Sequence, residues 1–394
     1  MKTKLQIILS LGVLLLISSC SKDNNNNSNE DNDQSTITLS ICDKNATTET
    51  KALYANLWNI KTKGFMFGHQ CDLMYGRYWY GDEGGSDTKA VCGDYPGVYA
   101  SNLSECIDDR YADNPDENAL RIKTIIEAYD RGMVNLVSTV NLNNPLTGGD
   151  CYDNSSDQVL SEILKEGSAT NIKYKIWLDR LADIVNNLRG SDNKLIPLVF
   201  RIFHEHTQTW PWWGKNCATD AEFIAAWRYT IQYLRDTKNV HNLIYAISPQ
   251  MDTSIDEDYY LYKYPGDEWV DFLGGDCYQG LNPTIFSYNM RILHKISTDK
   301  TKPCGITETG VEGFTSATYW TDNIYLPSVG KEMSMIVTWR NAYVGLDESN
   351  KHYFSVYPGH PSEADFVKMY NSDLTYFCND LPNMYIAVKG IEVK

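Results

Sequence analysis

Eight short apolar segments, separated by helix-forming stretches, run through the chain between residues 64 and 339. The segments at 64–68, 97–100, 133–140, 196–203, 243–247, 270–274, 303–307 and 335–339 read as strands. Residues 119–129, 174–188, 219–237 and 287–297 read as helices between them. In 174–188, Ile176, Trp177, Leu181, Ile184, Val185 and Leu188 are expected to share one face, and Gly190 stops the helix. Thr219-Asp-Ala-Glu222 matches a capping box opening the next one. The 196–203 segment is almost wholly apolar, as a strand buried on both faces must be. Strands that alternate with helices pair in parallel, because each helix carries the chain back to the same end of the sheet. Eight such units predict a single (β/α)8 TIM barrel over residues 37–394, with no linker or internal repeat to divide it.

Residues 1–19 read as a secretion signal rather than as part of that fold. Lys2 and Lys4 precede an apolar run at 5–17, too short for a bilayer-spanning helix of ~20 residues. The run ends Leu16-Ile17-Ser18-Ser19-Cys20, which resembles a bacterial lipobox and implies a lipid on Cys20. Residues 20–36 then offer almost nothing apolar to bury and read as a flexible polar tether. The expected location is lipid-anchored on the outer membrane, at the cell surface, with the periplasmic face as the alternative.

Charge and composition narrow the partners. A formal charge of −16 lacks the basic face that nucleic acid or anionic lipid requires. The 27 Tyr and 10 Trp suit a neutral ligand with flat apolar faces, such as a polysaccharide. Beyond Cys20 there are nine cysteines and no Cys-x-x-Cys pair, so a zinc ribbon or redox motif is absent. An exported chain can form disulfides, and Cys92 with Cys106 is the expected pair.

In such a barrel, side chains at the C-terminal ends of the strands line the active site. That rule selects His69, Gln70, Asn141, Arg201, His204, Glu205, Ser248, Asp276, Tyr278, Glu308, Trp339 and Arg340. Glu205 and Glu308 each end a strand, and two carboxyls flanking a scissile bond are the minimum a glycosidase needs. Trp210, Trp212 and Trp213 follow Glu205 and offer both a low-polarity wall, which raises a carboxyl pKa, and platforms for sugar rings. Arg201 and Tyr278 are the donors best placed to keep Glu308 ionised. His204 and His206 with His69 invite a metal reading, but no acidic ligand follows at useful spacing. No metal or cofactor is expected.

These motifs, in this order, resemble glycoside hydrolase family 26, a family of barrels dominated by β-mannanases. The resemblance rests on Gly68-His69-Gln70, Arg201 with His204-Glu205 and the Trp212-Trp213-Gly214 loop, Asp276-Cys277-Tyr278, Glu308-Thr309-Gly310 and Trp339-Arg340-Asn341, and covers roughly residues 50 to 390. It implies a retaining endo-β-1,4-mannanase acting on mannan, galactomannan or glucomannan. By that likeness Glu205 is the general acid/base and Glu308 the nucleophile. Arg201 and His204 orient the carboxylates and substrate, Tyr278 bonds the nucleophile, Trp210 lines the cleavage point and Trp339 floors the sugar there. His69, Trp212 and Trp213 join the expected substrate contacts.

One departure concerns the third strand. Where relatives often carry a histidine before an Asn-Pro turn, this chain has Asn141 in Val140-Asn-Leu-Asn-Asn-Pro145. Tyr152 stands where a tryptophan is often found and is expected to take over its stacking role. The altered segment keeps a β-1,3-1,4-glucanase or a β-1,3-xylanase of the same family as alternatives. A non-catalytic surface glycan-binding lipoprotein is the alternative from a different class. A glycan-uptake complex is a further expected partner.

Overall fold

The computed structural model describes residues 36–278, 281–345 and 347–394. The signal, the lipid site at Cys20 and the tether up to residue 35 lie outside the described residues. The chain enters through β1 (Ile37–Leu39) and α1 (Thr48–Lys61). Eight strands follow: β2 (Phe65–Gln70), β3 (Val98–Asn102), β4 (Val134–Ser138), β5 (Leu198–Arg201), β6 (Leu243–Ile247), β7 (Phe272–Cys277), β8 (Cys304–Thr309) and β9 (Met335–Thr338). They pair in parallel in sequence order, and β2 pairs with β9, so the sheet closes into a (β/α)8 barrel. The helices between them are α2 (Asp87–Cys92), α3 (Ser104–Ile107), α4 (Pro115–Asp130), α5 (Val159–Leu164), α6 (Ala169–Asn187), α7 (Asp220–Gln232), α8 (Glu257–Tyr260), α9 (Pro283–Lys300) and α10 (Leu326–Ser328). After β9 come α11 (Glu363–Tyr370), a short β10 (Thr375–Tyr376) on β2, and β11 (Ile391–Val393), which pairs in parallel with β1.

Alternation along each strand divides the core in two. Met66, Val98, Ala100, Val134, Leu136, Val199, Ile244, Ala246, Phe272, Met335 and Val337 form one buried cluster with α1. Phe67, Tyr99, Val137, Leu198, Phe200, Tyr245, Leu273, Ile306 and Ile336 belong to the other, with the surrounding helices. Seven of the eight strands, all but β8, are therefore apolar on both faces, which is why these runs stand out in the sequence. The barrel floor is closed by α1, whose Leu53, Tyr54, Leu57 and Ile60 join the interior cluster with Leu39 and Ile41. Tyr54 donates to the Asp271 carbonyl at 3.1 Å, and Asp271 accepts from the Cys42 and Tyr245 amides. With the floor sealed, the open end is the face where strands terminate.

The expected helices form, with their ends set by capping. Thr219 and Glu222 make the reciprocal capping box of α7. α4 and α9 start earlier than hydrophobic spacing indicates, because Pro115 and Pro283 occupy the first helical turn, where a missing N–H costs nothing. β7 and β8 run further than expected, which brings Asp276 and Glu308 inside the strands. The expected Cys92–Cys106 disulfide is not formed. The Cys92 thiol donates to the Asp94 carbonyl and the Cys106 thiol to Asn118, and the described cysteines are all thiols.

Candidate active site

Pleat geometry explains which side chains reach the barrel mouth. Arg201 stands two residues beyond Val199, and Ser248 two beyond Ala246, so each shares the inward face of its strand. Glu308 arrives differently. The β7–β8 register pairs Gly275 with Ile306 and then Asp276 with Glu308, leaving Thr307 as an extra residue. Such a bulge re-aims side chains locally. Thr307 donates to Asp276 at 2.7 Å, and Glu308 turns toward Arg201.

Arg201 is the buried hub. Its Nη1 bonds both oxygens of Asp276 at 2.8 and 2.7 Å, and its Nη2 bonds Glu308 Oε1. Tyr278 donates its hydroxyl to Glu308 Oε2 at 2.8 Å. Both Glu308 oxygens are thus held by donors, which fixes the carboxylate in one orientation. Burial pushes the Asp276 carboxyl up, against the pull of Arg201. Oxygens of Glu205, Asp276 and Glu308 all lie within 4.8 Å of one another. Three acids this close have the donor set of a cation site, but a guanidinium already bonds two of them.

Glu205 sits on a strained turn. Phe203 and Glu205 have left-handed φ values of 46° and 50°, which non-glycine residues rarely adopt. The turn is held by the Glu205 amide donating to the Ser248 carbonyl at 2.8 Å and by Trp213 Nε1 donating to the His204 carbonyl at 2.7 Å. Trp210 Nε1 donates to Glu205 Oε2 at 2.7 Å. Burial, and next the negative charge of Glu308, raise the Glu205 pKa from 4.5 to about 8, with the Trp210 bond pulling the other way. Glu205 is thus protonated at neutral pH beside a carboxylate held by two donors. A carboxyl raised in this way suits a proton donor, and a neighbour fixed by two hydrogen-bond donors suits a nucleophile.

The remaining expected residues divide. Tyr152 is 64 % exposed on the rim, its ring 5.1 Å from Trp210. Asn141 and Trp339 line a cavity of about 330 Å³ at the C-terminal ends of β2, β3 and β9. Trp212 and Trp213, expected as sugar platforms, are instead 0 % and 1 % exposed. Trp212 Nε1 donates to the Leu142 carbonyl at 2.9 Å, and the two indoles pack edge to face beneath the loop. Their faces are spent on the core. His204 is buried between Trp210 and Trp213, and desolvation holds its pKa well below the ordinary value, so it is a neutral ring. The geometry on 204–206 is a turn, so His204 and His206 do not present the paired face a strand would give, and His206 Nε2 bonds the Tyr262 carbonyl. His69 is buried on β2, with Nδ1 3.0 Å from Asp72. Asp72 also accepts from Ser86 and from the Asp87 amide, a network with no periodic signature in the sequence.

A model of glycosyl hydrolase family 26 matches residues 42–300. The chain belongs to that family. It is 31 % identical over 369 residues to a mannan endo-1,4-β-mannosidase of Bifidobacterium adolescentis, covering 85 % of this chain and 35 % of that protein. Among solved structures it resembles a family 26 β-mannanase from Bacteroides ovatus, with TM-score 0.79 and 37 % identity, covering 87 % of this chain and 98 % of that one. It also resembles the catalytic domain of a family 26 endo-β-1,4-mannanase from Bacillus sp. JAMB-750, with TM-score 0.81 and 26 % identity, covering 92 % and 99 %. The chain spans 35 % and 41 % of the length of the Bifidobacterium and Bacillus subtilis mannosidases it matches.

Folding raises the Glu205 pKa, so the stability this group contributes is fully present below pH ~4.5 and is lost as pH rises through about 8. Glu205→Gln removes that titration. Its melting temperature is therefore expected to gain on the wild type progressively between pH ~5 and ~8. A difference that does not change with pH in thermal unfolding would show that Glu205 is not protonated in the fold.

Proposed function

We propose that this protein is an endo-acting β-1,4-mannanase that hydrolyses mannan, galactomannan or glucomannan with retention of configuration. One observation carries the stereochemistry. The nearest oxygens of Glu205 and Glu308 are within 4.8 Å, which suits the ~5–5.5 Å spacing of retaining enzymes and leaves no room for the water that ~6.5–9.5 Å admits. The polymer is supported by family membership and by the mannanases this chain resembles.

In the first step, protonated Glu205 gives its proton to the glycosidic oxygen as that bond breaks. Glu308 attacks the anomeric carbon and forms a glycosyl ester. Loss of its negative charge lets Arg201 and Tyr278 relax from full charge pairing, and they recover it when the ester is cleaved. In the second step Glu205, now a carboxylate, takes a proton from water, whose oxygen attacks the anomeric carbon and frees Glu308. The acid must be protonated at the start, so kcat/KM is expected to fall above pH ~8. Tyr152 and Trp210 form an aromatic rim at the cleavage point, and Trp339 offers a floor. No cofactor is required by these steps.

Residues 1–36 support a further reading from sequence, a signal followed by a lipidated Cys20 and a polar tether, anchoring the enzyme at the outer membrane surface beside a glycan-uptake complex. Cys20→Ala should move the protein from the membrane to the soluble fraction, and unchanged fractionation would remove the anchor.

Glu205→Gln and Glu308→Gln are each expected to lower turnover on mannan by about a thousandfold or more, with the first product of the wild type a β-anomer by NMR. An α-anomer, or wild-type rates in either variant, would overturn the assignment. Hydrolysis of mixed-linkage β-glucan or β-1,3-xylan with no release from any mannan would favour the other polymers. Trp210→Phe removes a donor that stabilises ionised Glu205, so the alkaline limb of kcat/KM should move to higher pH. A limb that stays in place or moves down would contradict that role.

A further inference from the structure

The cavity lined by Trp339 and Arg340, at the same end of the barrel as the carboxylates, also takes in Tyr75, Tyr80 and Tyr343. A second depression, of about 470 Å³, shares Tyr80 and Glu117 with it and continues over residues 113–120. Tyr80 and Glu117 therefore form a wall common to both, so the two depressions adjoin. Tyr80 and Tyr343 are 44 % and 49 % exposed, and their rings meet at 5.8 Å and 59°. Behind Tyr80, Tyr75 stacks at 5.9 Å and 4° between planes, so Tyr75 supports one face of the ring.

Both rings are held in place before any ligand arrives. Tyr75 and Tyr80 bridge across a tight turn in which the Gly76 amide donates to the Trp79 carbonyl at 3.0 Å. The Val344 amide donates to the Arg77 carbonyl at 3.1 Å, which straps the loop carrying Tyr343 to that turn. Arg77 is itself buried against the rings of Tyr353 and Tyr357. A platform fixed in this way loses little freedom on binding.

Polar groups converge on the same place. Arg121 Nη2 bonds Glu105 Oε2 and Glu117 Oε1 at 2.5 Å each, holding two acceptors in the cavity wall. Arg121 is 8 % exposed, and its Nε is a buried donor without a partner among the described residues. Exposed aromatic faces beside fixed carboxylate acceptors suit a pyranose, with its apolar C–H face and its ring of hydroxyl donors. They do not suit an apolar peptide, which would strand the charges.

We propose that Tyr80 and Tyr343, with Glu117, bind a neutral hexose unit of the polysaccharide away from the cleavage point, beyond the sugars held at Trp339. This deepens the proposed function and rests on it. The site contributes only when the chain is long enough to reach it, so it ties rate to chain length.

The test is kcat/KM on manno-oligosaccharides from trisaccharide to hexasaccharide. In Tyr80→Ala and Tyr343→Ala the hexasaccharide-to-trisaccharide ratio is expected to fall about tenfold, and further in the double variant. Phe at either position keeps the face and should keep most of the ratio. Tyr288→Ala, on the outer surface of α9, should leave the ratio unchanged. An unchanged ratio in both Ala variants, or an equal loss with Phe and Ala, overturns the platform. Failure of the wild type to cleave any manno-oligosaccharide or mannan would instead overturn the function on which it rests.

Discussion

Taking a guanidinium out of water costs several kcal/mol unless acids and hydrogen bonds replace the solvent. Arg201 is fully buried at the barrel mouth and meets that demand by bonding Asp276 and Glu308 together. Three strands, β5, β7 and β8, are thereby tied at their active ends by one side chain. The pair with Asp276 holds the guanidinium in plane, and the bond to Glu308 fixes where the nucleophilic oxygen stands. Lysine could not do both, because a point charge lacks the fork that spans two carboxylates. Glu205 owes its raised pKa first to burial and next to the charge of Glu308, whose position Arg201 and Tyr278 fix.

The barrel supplies rigidity and the loops supply chemistry. Interior apolar side chains and α1 close one end, and the reactive carboxyls gather at the other. There the regular pattern breaks at the extra residue Thr307 on β8 and at the left-handed turn of Phe203 and Glu205, among other places. Both breaks place a reactive carboxyl. Indoles buried beneath the second one stop the strained turn from relaxing, and that is the work of Trp212 and Trp213.

Strand positions, barrel closure and the pairing of Glu205 with Glu308 were legible because each follows from periodicity or from the end of a strand. Arg201 and Tyr278 were legible as donors for the same reason. Trp212 and Trp213 were not, because three tryptophans in one loop look alike until hydrogen bonds show which indole faces inward. The Cys92–Cys106 pairing failed because loop proximity in sequence says nothing of sulfur direction, and both thiols find oxygen acceptors. The bulge at Thr307 was invisible, since an extra residue in a strand leaves the apolar pattern almost intact. Asp276 was selected only as a strand-end residue. Its place as the second partner of Arg201 needed coordinates.

The pairing of β1 with β11 sets a direction. It brings the described N-terminus to the sealed end of the barrel, where Cys42 bonds Asp271 at the foot of β7. The carboxylates open at the other end. The point of attachment at Thr36 thus lies at the end of the barrel away from the carboxylates, and a long polymer entering the mouth approaches the opposite pole of the protein.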